Sequence, residues 1–158
     1  MNIDDIKLLH YNSFFSSHLI VHFLSGCKDL KIKHEMIFLV LPFIYHSDSR
    51  EILSSLNTNS TIYTAFLESE RGKFCLGGIE KRYANFKALT QKALLVSATY
   101  RRHRIIVSEY ISVPNILRYE DEIDDYIKQF YKSAHYLGHI LSQTNYPQIF
   151  IQLGIREL

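Results

Sequence analysis

The sequence predicts a mainly helical protein with one short β-hairpin, a compact and winged-helix-like arrangement spanning residues 1–158 as a single domain. Three observations predict it. Apolar residues recur at three- and four-residue spacing in two long stretches, 79–100 and 123–141. One short run, RIIVSEYISV, is β-branched and aromatic and stops at Pro114. The chain is 47% apolar, and at this length it can bury roughly two-thirds of its unfolded surface without a disulfide or a metal.

The elements follow in order. A first helix from residue 13 to about 25 has Asn12 as N-cap and Gly26 as the C′ residue. It is apolar on most sides, which predicts a deeply packed element. A second helix covers 33–45, where Pro42 either kinks it or starts a new turn. Asp48 and Glu51 have capping-box spacing and open a short helix to Leu56. Ser60 caps another, TIYTAFLES.

The first long stretch begins near Lys73 or Gly78 and ends at Tyr100. Its stripe is Ile79, Tyr83, Phe86, Thr90, Ala93, Ser97 and Tyr100, and Leu89, Leu94, Leu95 and Val96 widen it until its end is buried nearly all round. Lys81 and Lys92 fall on the opposite, wet face. The β-branched run folds into a hairpin at Ser108–Glu109. The next helix, 121–141, presents Ile123, Ile127, Phe130, Ala134, Leu137 and Leu141 on one face, with acids at its positive end. Pro147 suits the N1 position of a last helix, QIFIQL, closed by Gly154. Helices followed by a hairpin fit a winged helix and also a helical bundle carrying a β-flap. The pattern does not separate them.

Charge is strongly segregated. Residues 71–104 hold nine Lys or Arg and one acid, and residues 105–126 hold six acids and one base. The sharpest cluster is Arg101, Arg102 and Arg104, at the junction of the long helix and the hairpin. Arginine there suits phosphate oxygens. With Lys81 and Lys92 these residues form the candidate contact surface for nucleic acid or an acidic partner. The competing reading is solvated faces that neutralise one another.

Catalytic patterns are missing from the sequence. It has no G-x-G-x-x-G, no Walker motif and no G-x-S-x-G, and Gly77–Gly78 reads as a helix break. His18 and His22 are four apart, as are His135 and His139, a spacing open to metal ligation, but no third ligand cluster accompanies them. His34–Glu35 has no second histidine to complete a zincin motif. The expectation is a protein with no catalytic, cofactor or metal site of its own. Cys27 and Cys75, with an acidic and polar start, suggest free thiols in the cytoplasm. The longest apolar stretch, 36–45, contains Pro42 and is half the length of a membrane span.

Five blocks taken together resemble the middle component of bacterial three-component ABC systems, and the small third subunit of the related Lamassu-type defence complexes. They are residues 12–26, 37–53, 60–69, 83–98 and 134–156. The second, IFLVLPFIYHSDSREIL, is the most specific, with Pro42, His46, Arg50 and Glu51 in the family's usual order. Gly138 and Gly154 mark the last. His139 stands where a basic residue is usual, and Leu153 where an aromatic often stands. The resemblance implies a non-enzymatic adaptor between an SMC-like or ABC ATPase and an effector, often a nuclease, in anti-phage or anti-plasmid defence. ATP and Mg²⁺ would belong to the ATPase, and DNA would be met through the assembled complex. A stand-alone winged-helix DNA-binding regulator is the alternative.

Overall fold

The computed structural model describes residues 12–99, 104–145 and 147–156. Helix α1, Ser13–Gly26, starts at Asn12, whose side chain accepts the amides of Phe14 and Phe15. Almost every side chain beyond its first turn is buried, Leu19, Ile20, Phe23 and Leu24 completely. The helix runs through Gly26 instead of ending before it, and Cys27 closes it in an extended conformation. Gly26 is therefore not a left-handed cap. A Cβ there would collide with the carbonyl of His135, so the glycine is required by a neighbouring helix.

A 3₁₀ turn, Lys28–Leu30, leads into strand β1, Lys31–Lys33. Asp29 and Leu30 both have positive φ, 58° and 55°. Where one helix was expected there are two, α2 at His34–Ile37 and α3 at Val40–Ile44. Pro42 explains the break. Its ring excludes the carbonyl four residues back, that of Phe38, so continuous helix fails at 38–39 and resumes with the proline in the first turn of α3.

Helix α4, Ser47–Ser54, is capped by His46 through Nδ1, so Asp48 lies in the first turn and is not the cap. Residues 63–67 form one π turn in place of a helix capped by Ser60. The Ser60 hydroxyl accepts from Asn57 N instead, and Thr61 Oγ1 accepts from Thr64 N. Helix α5, Glu70–Cys75, and helix α6, Ile79–Thr99, are separated by Gly78 at φ 75°.

The stripe along α6 is as expected at Ile79, Tyr83, Thr90, Ala93 and Ser97, all buried. Leu95 is 70% exposed, so the end of α6 is not buried all round. Tyr100 lies outside the described residues. Strands β2, Ile106–Val107, and β3, Tyr110–Ser112, form the expected hairpin. They also recruit β1, giving an antiparallel sheet in the order β1-β3-β2 with Ile32 opposite Ile111. Both isoleucines are buried.

After a 3₁₀ turn at Tyr119–Asp121, helix α7 spans Asp125–Ser142 with Asp124 as its cap. Ile123 precedes the helix and is 93% exposed, so the inward face begins at Ile127. Phe130, Ala134, Leu137 and Leu141 are buried. Helix α8, Gln148–Leu153, follows Pro147, which occupies the cap position, and ends at Gly154 with φ 75°. Helix α1 lies between α7 and α6, packed most extensively on α7. None of the described helices is long and apolar enough to cross a membrane.

Candidate interaction surface

The surface is best understood from the motif beneath it. His46 sits between α3 and α4. Its Nδ1 accepts from the Ser49 amide at 3.3 Å and from the Ser49 hydroxyl at 2.7 Å. Burial, and then the nearby Arg82 charge, hold its imidazole below the usual histidine range, which preserves the neutral ring that a hydrogen-bond acceptor needs. Arg50, one turn on, is buried, with 9% of its surface exposed. Its Nη1 donates to the Ile44 carbonyl at 2.8 Å, and its guanidinium lies 4.1 Å from the centre of the Phe130 ring. Ser133 on α7 donates to the Arg50 carbonyl at 3.0 Å. Glu51 faces out and meets Arg71 at 2.9 Å. Pro42, His46, Arg50 and Glu51 thus tie α3 and α4 to α5 and α7.

Arg82 performs the matching task from α6. It donates from Nε to the Pro42 carbonyl at 3.2 Å, from Nη1 to Gly77 at 2.8 Å and from Nη2 to Cys75 at 2.8 Å. One side chain satisfies carbonyls at the end of α5 and fastens them to α3. The sequence showed Arg82 only as one more base in a basic run.

This division sorts the basic block. Arg82 is engaged with the main chain, Arg71 with Glu51, and Lys73 with Glu70 at 3.7 Å. Lys81, Lys87 and Lys92 are exposed along α6, and Arg104 is exposed just before β2. Among the described residues none of these four takes part in an ion pair. Arg101 and Arg102 lie outside the described residues. Most of the acidic block is occupied by nearby partners. Glu109 meets Lys33 at 3.4 Å, Glu120 meets Arg118 at 3.9 Å, Asp125 meets Lys128 at 4.0 Å, and Asp124 caps α7. Among the described residues no ion pair joins the two blocks.

A second positive region was missed. Lys28, Lys31 and Lys33 border a cleft of about 350 Å³ between β1 and the end of α7. Lys31 and Lys33 hold their ammonium groups 5.0 and 4.4 Å from the centre of the Tyr110 ring. The signal was present in the alternation Lys31-Ile32-Lys33, a strand with one buried residue, but three residues are too few to read as a strand beside strong helices.

Two histidines pack on tyrosine rings, His22 face to face with Tyr131 at 4.0 Å and His135 edge-on to Tyr119 at 5.2 Å. His139 Nε2 is 2.9 Å from the Thr58 carbonyl. Among the described residues no group of three or more His, Cys, Asp or Glu is placed to hold a metal. Both cysteines are buried, and burial pushes both thiols up, away from the reactive thiolate.

Gly138 and Gly154 differ in kind. A Cβ on Gly138 would strike the carbonyl of Phe23, whereas Gly154 has open space around it and supplies positive φ. The family-like residues therefore serve packing, capping and tight approach. No curated protein and no solved structure matches the chain. The family model of ABC-three component (ABC-3C) system Middle Component 3 matches residues 1–157. A match over nearly the whole length, running through residues whose work lies in holding this fold together, means that the chain belongs to the ABC-3C middle-component family.

Proposed function

We propose that this middle component is a non-enzymatic adaptor that links an SMC-like or ABC ATPase to an effector, often a nuclease, in a Lamassu-type bacterial defence complex in the cytoplasm. The observation that carries the reading is the sorting of charges on α6. Arg82 holds the fold together, while Lys81, Lys87 and Lys92 stand exposed and, among the described residues, take part in no ion pair. Such a row suits an acidic partner surface or the phosphates of DNA met by the assembled complex. ATP, Mg²⁺ and bond cleavage belong to the partners in this reading.

The test is co-expression with the ATPase and effector encoded beside it, followed by size-exclusion chromatography. One complex is expected, with at least about 1,000 Å² buried against one partner. A monodisperse protein that binds neither would overturn the proposal.

The sheet favours a second reading. One strand follows the first helix, a hairpin follows the long helix, and the order is β1-β3-β2. That order is compatible with a winged helix, in which α6 would be the recognition helix and Ser108–Glu109 the wing tip. A stand-alone regulator built this way would be a symmetric dimer on a palindromic site.

A further inference from the structure

Strand β1 is an edge strand, and its three residues border the cleft. In an antiparallel ladder alternate residues turn their main-chain groups toward the partner strand and away from it. Val113 N donates to the Leu30 carbonyl at 3.1 Å, so Leu30 turns toward β3. By alternation Ile32 does too, whereas both main-chain groups of Lys31 and the N–H of Lys33 turn to the open side, the Lys33 carbonyl serving the first turn of α2. Across the cleft stands the end of α7, held in place where Lys28 N donates to Ser142 Oγ at 3.0 Å. Buried Met36 and Leu141 supply apolar surface in its lining.

We propose that this groove takes an extended acidic segment of a partner subunit, added to the sheet as a strand beside β1; the proposal rests on the adaptor reading above. Three features select that occupant. Unpaired main-chain groups on a strand edge recruit another strand. Among the described residues, exposed Lys28 and Lys31 have no ion pair and Asp29 is the one acid lining the cleft. Lysines on an edge repel basic strands and are costly to cover with neutral ones, and so guard against aggregation; an acidic strand is the kind they admit. Tyr110 argues against a nucleic-acid strand. Its ring carries the ammonium groups of Lys31 and Lys33, so it is not open as a base-stacking platform. Holding those side chains in place also lowers the ordering needed when an acid binds.

Lys33 offers a test of the main-chain part. Its φ is −62° and its ψ is 145°, angles proline adopts without strain, and its N–H points away from β3. Lys33→Gln removes the charge and keeps the N–H. Lys33→Pro removes both. The experiment uses the complex reconstituted with the ATPase and effector, with affinity read by titration and a photo-crosslinking side chain at Asn145, which is exposed beside the cleft. Melting temperatures of the isolated variants control for folding.

The Lys28→Glu/Lys31→Glu double variant is expected to weaken assembly at least tenfold. Lys33→Pro is expected to weaken it about three- to tenfold more than Lys33→Gln, the range of one hydrogen bond. The crosslink is expected on an acidic segment of one partner. Equal affinity for all variants, no crosslink, or a crosslink only to an added oligonucleotide would overturn the proposal. A wild-type chain that joins no complex would defeat the adaptor reading instead, so the two failures are distinguishable.

Discussion

Gly26 and Gly138 lie on facing helices, and each is pressed against the main chain of the other's helix. A Cβ on Gly26 would meet the His135 carbonyl, and one on Gly138 would meet the Phe23 carbonyl and approach Cys27 N to 3.2 Å. Pairs such as Phe15 with Phe130 and Lys28 with Ser142 show α1 and α7 running in the same direction at this close range. Only residues without side chains allow it.

The first prediction follows from that pair. Gly138→Ala is expected to destabilise the fold by about 1–3 kcal/mol or more, because main chain cannot swing aside as a side chain can. Gly154→Ala has open space and meets only the left-handed strain of φ 75°, about 1–2 kcal/mol. Urea unfolding of both variants checks the order. A Gly138→Ala protein as stable as the wild type would contradict the crossing.

Arg82 is expected to act on stability and not on binding. Arg82→Ala leaves three carbonyls without their charged donor, and a loss of about 2–3 kcal/mol is expected. Lys81→Ala on the wet face is expected to stay within about 0.5 kcal/mol of wild type. Equal melting temperatures for the two variants would refute the sorting of the basic block.

Two histidines set an acid-side slope. Burial first, then Arg82, lowers the pKa of His46; burial lowers that of His135 against the opposing charge of Glu120. Unfolded imidazoles titrate near about 6.5. Between that value and the lower folded values the unfolded chain binds more protons, so stability falls as pH drops through this window. His46→Asn keeps a capping side chain and removes one titration. Its urea midpoint is expected to fall less between pH 7.5 and 5.5 than the wild-type midpoint. An identical fall would remove His46 from the account.

The exposed cations give a salt signature. If Lys81, Lys92 and Arg104 touch duplex DNA in the assembled complex, each contact contributes about 0.9 to the slope of log affinity against log salt. Replacing all three with Glu is expected to flatten the slope and leave assembly intact. Broken assembly with unchanged DNA affinity would assign the row to a protein partner. No change in either would leave it a solvated face.

Much of this architecture was legible because it depends on period and on caps. Asn12, the stripe from Ile79 to Ser97, the hairpin at Ser108–Glu109 and the buried face of α7 follow from local chemistry. What was not legible depends on residues remote in sequence. Gly26 looked like a cap because His135 was invisible to it. Asp48 looked like a cap because histidine is a rare one, and nothing nearby told that burial would keep His46 neutral. Lys31–Lys33 became a strand only when β3 arrived beside it. The candidate surface divided in the same way. Lys81 and Lys92 were placed on the wet face by spacing alone, whereas the engagement of Arg82 and the lysine cleft needed three dimensions.

The joining of β1 to the hairpin has a consequence for when the protein becomes usable. Lys33 and Glu109 pair across 76 positions of chain, with α2 to α6 lying between them. A contact of that reach forms late, after the intervening helices have gathered. A chain still being synthesised, or one cut short before β3, has no sheet and hence no lysine cleft. Recruitment through that cleft would be reserved for finished molecules, a form of inspection in which the adaptor shows its partners only what folding has completed.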